Sequence, residues 1–211
     1  MSVEAVTELP TWEFEDGPVL DVDCKTEVAR SVFRVLLAVG EDPTREGLAD
    51  TPERVARAYD ELLFGYTIDP VKLLNNALFE VDYDEMVVVS DIDFYSLCEH
   101  HLLPIIGKAH VAYLPDKKVV GLSKIPRVVD AYARRLQVQE RMTREVADLL
   151  DDLIEPQGIG VVAEALHMCV AMRGAKKANS VMRTSALLGT FKTSEKTRAE
   201  FFRHIGQHHD H

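Results

Sequence analysis

No stretch of the sequence approaches the ~18 consecutive apolar residues that a membrane-spanning helix requires. Its first residues are acidic (Glu4, Glu8, Glu13, Glu15, Asp16) where an export signal would be basic and then apolar. A cytoplasmic protein with no membrane partner is therefore expected. An excess of basic charge is missing too: 24 Lys+Arg stand against 35 Asp+Glu, a formal net charge of -11. That balance argues against a general affinity for nucleic acid. Cysteine is scarce. Cys24, Cys98 and Cys169 are odd in number and unequally spaced, so no disulfide framework is expected, and metal ligation or core packing remains. No segment repeats at a fixed solenoid period.

What is present suffices for a sizeable core. The 211 residues are 46% hydrophobic, enough for one large domain or one domain with a helical appendage. Residues 1–25 are acidic, carry Pro10 and Pro18 and lack periodicity, so a mobile segment is expected. Val28, Val32, Val35, Leu36 and Val39 follow helical spacing and stop at Gly40. Thr51 and Pro52 open a second helix with Val55, Ala58, Tyr59, Leu62 and Leu63 on one stripe. Neither stripe can stay wet, so the two helices should pack on each other or on a neighbouring chain. Residues 86–97 and 105–114 read as strands flanking a polar turn closed by Pro104, and 115–118 as a hairpin turn into a short strand, 119–122. Ser123 should cap a helix over 124–136, and a second helix follows over 139–154. Two more strands are predicted over 160–173 and 181–191, and Ser194 opens a last helix. The predicted class is α+β, an antiparallel sheet with a helix pair on one face. The predicted organisation is a helical part over 26–80 and a catalytic domain over 81–211. The histidine-rich end, 207–211, is assigned no role.

Cys98 and His101 stand three apart in the turn, a spacing that lets a thiolate and an imidazole meet on one ion. On the predicted strand 160–173, alternation puts His167, Cys169 and Arg173 on one face, opposite Leu166, Met168, Val170 and Met172. Two sulfurs and one nitrogen from Cys98, His101 and Cys169 suit zinc and leave a fourth position for water, whose pKa falls toward ~7. His100 and His167 flank that position and can shuttle protons near neutrality. Blander readings exist: buried cysteines are often inert, as Cys24 is read here, and His110 reads as a satisfied sheet residue. A closed structural site with His100 or His167 as fourth ligand is the sharper rival. It leaves unexplained the cations at Ser123-Lys124-Ile125-Pro126-Arg127, at Arg173 with Lys176 and Lys177, and at Arg54. A helix start joined by Lys124 and Arg127 is a phosphate cradle in kind. Glu140, after Gln139, either favours the helix dipole or, in a pocket, accepts two hydrogen bonds from the N–H edge of a guanine; position alone leaves both open.

Together these segments resemble a known family, the zinc-dependent GTP cyclohydrolase I of folate biosynthesis. The resemblance rests on Cys98-Glu99-His100-His101, Gly121-Leu122-Ser123-Lys124-Ile125 with Arg127, Gln137-Val138-Gln139-Glu140-Arg141, His167-Met168-Cys169 with Arg173-Gly174, and Phe191-Lys192. It implies the tunnelling fold, in which sheets from several subunits close a barrel, preceded by an N-terminal helical part. It further implies a homodecamer of two pentamers with active sites at subunit junctions. Cys98, His101 and Cys169 match the zinc ligands, and His100 and His167 the catalytic histidines. Ser123, Lys124, Arg127 and Arg173 match residues that hold the triphosphate, with Arg54 reaching a neighbouring subunit's site and Ser123 assisting the ribose steps. Gln139 and Glu140 match the pair that recognises guanine. The implied reaction takes GTP and water to 7,8-dihydroneopterin triphosphate and formate, with attack at C8 of the guanine while His167 or His100 protonates a ring nitrogen. Pro126 and Pro104 depart from some members without replacing a ligand. Two alternatives stand beside this expectation: a zinc-stabilised assembly protein without turnover, and another tunnelling-fold enzyme acting on a purine or pterin.

Overall fold

Glycine and proline punctuation fixes where the first helices stop and start. In the structure, a computed structural model that describes residues 24–74 and 77–206, α1 spans Cys24–Ala38 and α2 spans Thr51–Leu62. The expected mobile segment up to residue 23, the Cys24 side chain and the tail 207–211 lie outside the described residues. Gly40, at φ 87°, takes the left-handed conformation that ends a helix, and the Gly40 and Glu41 N–H groups donate to the carbonyls of Leu37 and Leu36. Contacts divide the chain into two units, one ending at Asp60 and one beginning at Glu61.

In the first unit Pro52 and Ala56 are buried, and Lys25 pairs with Asp60 at 2.9 Å. A cavity of about 660 Å³ lies between α1 and α2, with Ala29, Phe33, Pro52 and Ala56 in its lining. Phe33, Val35 and Leu37 of α1, and Val39 just beyond it, remain exposed, so much of the apolar content of this segment is still wet.

The second unit begins with a 3-10 turn, Phe64–Thr67, and α3, Pro70–Leu74. β1 (Leu78–Glu80), β2 (Val87–Cys98), β3 (Pro104–Leu114) and β4 (Lys118–Val120) follow, then α4 (Lys124–Ala133), β5 (Leu136–Gln137) and α5 (Gln139–Ile154). The chain closes with β6 (Gly158–His167), α6 (Met168–Ala171), β7 (Val181–Gly189), α7 (Thr190–Thr193) and α8 (Glu195–Gly206). The main sheet has the order β5-β2-β3-β6-β7, antiparallel except for the β5–β2 pair. This is the α+β class expected from the sequence. The helix pair α4 and α5 covers one face, and Phe94, Val111, Tyr113, Val128, Val129, Val146, Leu150 and Val161 form the core between them. The terminal helices cover part of the other face, where Phe191 and Phe201 stack edge to face at 5.5 Å against Ala112 and Val162. Ser194 opens α8 as expected, its hydroxyl accepting from the Thr197 N–H at 3.3 Å.

Three elements differ from the sequence expectation, each because strand pairing decides the matter. The residues after the turn at 115–118 do not fold back on β3 as a hairpin. Both edges of β3 are occupied, by β2 and β6, so β4 pairs instead with β1, which has no clear sequence signal. Helix α4 ends at Ala133 rather than 136, because Leu136 and Gln137 pair in parallel with Leu97 and Cys98. Ser123 occupies the N-cap position in helical conformation and makes no side-chain cap bond. Finally, β6 stops at His167. Its last pair with β3 is Ile105 to His167, next to Pro104, which has no N–H to offer. Beyond that point no partner strand remains, and residues 168–171 close into a helical turn. The expected strand alternation through Cys169 and Arg173 therefore does not exist.

Candidate active site

The site is built where β2 turns into β3. The Cys98 N–H donates to the Leu103 carbonyl at 2.9 Å, while the Cys98 carbonyl accepts from the His101 and Leu102 N–H groups at 3.2 and 2.8 Å. Leu102 takes φ 53° to complete this tight turn. Cys98 is buried, and its Sγ lies 3.6 Å from His101 Nδ1 and 3.9 Å from His100 Nδ1. On the other side the turn is held by β5 and α5. The Glu99 N–H donates to the Gln137 carbonyl at 3.1 Å, and the Glu99 carboxylate pairs with Arg141. Arg141 Nε in turn donates to Gln137 Oε1 at 3.0 Å, and Gln137 Nε2 donates to Glu145 at 2.9 Å.

Cys169 enters from the helical turn α6. Its thiol and those of Cys98 and the imidazole of His101 present ligand atoms within 4.8 Å of one another. Burial, then the neighbouring Cys98, holds the Cys169 thiol above its ordinary pKa of 9.0, with Arg173 opposing. Such a pair of thiols becomes thiolate when a cation takes the space between them. Two sulfurs and one imidazole nitrogen on three chain segments form a donor set that fits a borderline metal.

His167, the last residue of β6, lies beside this group in sequence and is fixed by α5: its Nε2 is 2.8 Å from Gln139 Oε1. Burial lowers the His167 pKa below 6.5, with the charge of Glu140 opposing. Gln139 is buried at 1% exposure, and its Nε2 faces the Ala163 and Met182 carbonyls and Thr184 Oγ1. Glu140, one residue on, is exposed. His100 is exposed beside Glu99. Ser123 and Arg127 are exposed at the start of α4, with Lys124 half-buried, and Arg173 is exposed just after α6. Among the described residues none of Lys124, Arg127 and Arg173 has an ion-pair partner. Arg54, in the first unit, pairs with Asp50 at 2.9 Å.

The structure thus gathers Cys98, His101, Cys169 and His100, and ties His167 to Gln139. Sequence reasoning missed the tether of Glu99 through Arg141 and Gln137, and the contact of buried Thr143 with half-buried Thr184, whose hydroxyls are 2.7 Å apart. A signal for part of this was present: Gln139 and Thr143 fall on the apolar stripe of α5 with Met142, Val146 and Leu150. His110, at 2% exposure, accepts the Asp91 N–H at 3.1 Å where β2 bulges between Val89 and Ile92.

Fold and site define an α+β protein with a Cys-His-Cys group that could hold a metal ion, at one end of a largely antiparallel sheet and flanked by histidines. Residues 28–206 match the family of GTP cyclohydrolase I. The GTP cyclohydrolase 1 of Chlorobaculum tepidum is 54% identical over 195 residues, 92% of this chain and 87% of that protein. That of Campylobacter lari is 60% identical over 173 residues, 82% of this chain and 91% of that protein. Among solved structures, the apo form of the archaeosine synthase QueF-Like aligns with TM-score 0.44 and 15% identity, over 51% of this chain and 97% of that one. The chain belongs to the GTP cyclohydrolase I family.

Proposed function

We propose that Cys98, His101 and Cys169 hold a zinc ion, and that the surrounding histidines and cations serve the opening of a guanine ring there. As a member of its family the chain is an enzyme that converts GTP and water to 7,8-dihydroneopterin triphosphate and formate, the first step of tetrahydrofolate biosynthesis. The observation that carries the site assignment is the meeting of two thiols and an imidazole from β2, its turn and α6 within 4.8 Å. When bound, zinc supplies Lewis acidity that brings the pKa of a water down toward ~7 and so makes a nucleophile at neutral pH.

The chain's own residues then have the following parts. Addition of water at C8 builds negative charge on a guanine ring nitrogen, which a histidine proton relieves. His167, kept neutral by burial, and the exposed His100 are the proton carriers. The N-terminus of α4 with Lys124 and Arg127, together with Arg173, holds the triphosphate; that none of these three cations has an ion pair among the described residues, in a chain of net charge -11, supports this. Ser123, whose hydroxyl caps nothing, reaches the ribose. Glu140 accepts from the N–H edge of guanine, and Arg54 serves the site of a neighbouring copy. That last role requires a homo-oligomer, the decamer of two pentamers with sites between subunits; the exposed apolar residues of α1 support association. Every other site residue falls in the part proposed as catalytic, 81–211, with 26–80 devoted to assembly. No helix among the described residues is long and apolar enough to cross a membrane, and a cytoplasmic setting matches the substrate.

The test is to incubate metal-replete protein with GTP and follow pterin fluorescence after oxidation, alongside formate release and zinc content. In Cys169→Ala, where two ligands remain, bound zinc should fall from about one per chain to near none and turnover should drop by roughly a hundredfold or more. Retained zinc with full turnover would remove Cys169 from the site.

A further inference from the structure

The buried amide of Gln139 has an orientation that its neighbours decide. One end lies 2.9 and 3.1 Å from the carbonyl oxygens of Ala163 and Met182. Backbone carbonyls only accept, so that end is the NH2 group; a flipped amide would set its oxygen against two others. The oxygen end therefore faces His167 Nε2, 2.8 Å away. An amide oxygen only accepts, so Nε2 carries the hydrogen. A neutral imidazole has one N–H, which leaves Nδ1 bare.

The adjoining hydroxyls lock this arrangement. Thr143 Oγ1 donates to the Gln139 carbonyl at 2.7 Å, which uses its single hydrogen. The 2.7 Å contact between Thr143 and Thr184 is then filled by the Thr184 hydrogen, and a Thr184 lone pair is left for Gln139 Nε2 at 3.1 Å. Each hydrogen has a destination within α5, β6 and β7, the two on Gln139 Nε2 being shared among three acceptors, and a network whose donors are all engaged resists rearrangement.

We propose that Gln139 is a positioning residue that holds His167 in the Nε2–H tautomer, so that His167 exchanges protons with the reacting groups through Nδ1. The inference rests on the proposed role of His167 in proton transfer, and it takes Gln139 out of guanine recognition. Its amide is occupied within the protein, which leaves Glu140 as the side chain of the pair that meets the base. Nδ1 is then the ring atom left free to take up or release a proton, while Nε2–H stays engaged by Gln139.

The experiment is a long-range proton–nitrogen correlation spectrum of zinc-loaded protein labelled with nitrogen-15 at histidine. The His167 signals are identified by their loss in His167→Gln. The expected pattern has a proton-bearing Nε2 and a pyridine-like Nδ1; a proton on Nδ1 in the wild type overturns the proposal without touching GTP turnover, which is measured separately. Gln139→Met, which removes the acceptor, should mix the tautomers and lower kcat by about a hundredfold, with KM for GTP changed by less than about twofold. A raised KM with unchanged kcat in Gln139→Met would mean that the amide contacts substrate and would overturn the proposal. If Gln139→Met fails to fold, the wild-type spectrum decides alone. Wild-type protein with the expected tautomer but no turnover of GTP would instead refute the functional reading.

Discussion

Asp130 shows how a single side chain on the helix pair weighs on the fold. Its carboxyl is half-buried on α4, and burial raises its pKa above 3.8 while Arg134 opposes. Between its ordinary pKa and that raised value the folded chain binds a proton that the unfolded chain has released. Stability therefore falls as pH rises through this window, and the cost of burying the charge is fully present at pH 7. Asp130→Asn should raise the thermal midpoint at pH 7 and give no gain near pH 3; a lower midpoint at pH 7 would show that the carboxylate has a stabilising partner. At this scale the residue types of the candidate site were legible, because thiol, imidazole and guanidinium groups declare their chemistry. Their partners were not. Gln139 reads from sequence as a polar residue near a helix start, and its burial beneath His167 depends on β6 and β7 passing over α5.

Among the elements, the turn between β2 and β3 is held from outside as well as by its own hydrogen bonds. Arg141→Met would release Glu99 and the Gln137 contact, so the turn that carries His100 and His101 should loosen. Zinc retention against a chelator should weaken by about tenfold with little change in helix content; unchanged retention would confine the tether to a surface role. Gly107 on β3 is set by close approach of β6: a Cβ there would lie 2.3 Å from the Glu164 carbonyl and 2.5 Å from Ala165 Cβ. Gly107→Ala must shift backbone rather than a flexible side chain and should destabilise by about 3 kcal/mol, measured by denaturant unfolding. Periodicity located both long strands and α5 because an amphipathic stripe is a local property. It failed at β1, β5 and the end of β6, which are set by where partner strands begin and end.

The molecule as a whole carries more exposed apolar surface than scattered residues would explain. Across β2, β3, β6 and β7 a row pairs Tyr95, Ile106, Leu166 and Val181, three of them exposed, next to a row of alternating charge at Asp93, Lys108, Glu164 and Arg183. Exposed apolar patches of this order mark contact surfaces. In the first unit Phe33 and Leu37, one helical turn apart on α1, are 40% and 54% exposed. Sedimentation should report a multiple of the single-chain mass, and Phe33→Ser combined with Leu37→Glu should reduce it. A monomer at micromolar concentration would sink the oligomer and with it the inter-subunit role of Arg54.

The amino-acid sequence determined by itself the α+β class, the longer elements and which thiols and imidazole make up the candidate metal-holding group, since composition, periodicity and reactive side chains are written locally. Tertiary structure decided how that group assembles. Cys169 reaches Cys98 because β6 runs out of partner at Pro104 and coils, and alternation along a strand plays no part. It also decided that Gln139 faces inward, because hydrogen-bond direction exists only once two carbonyls and an imidazole from β6 and β7 have met around one amide.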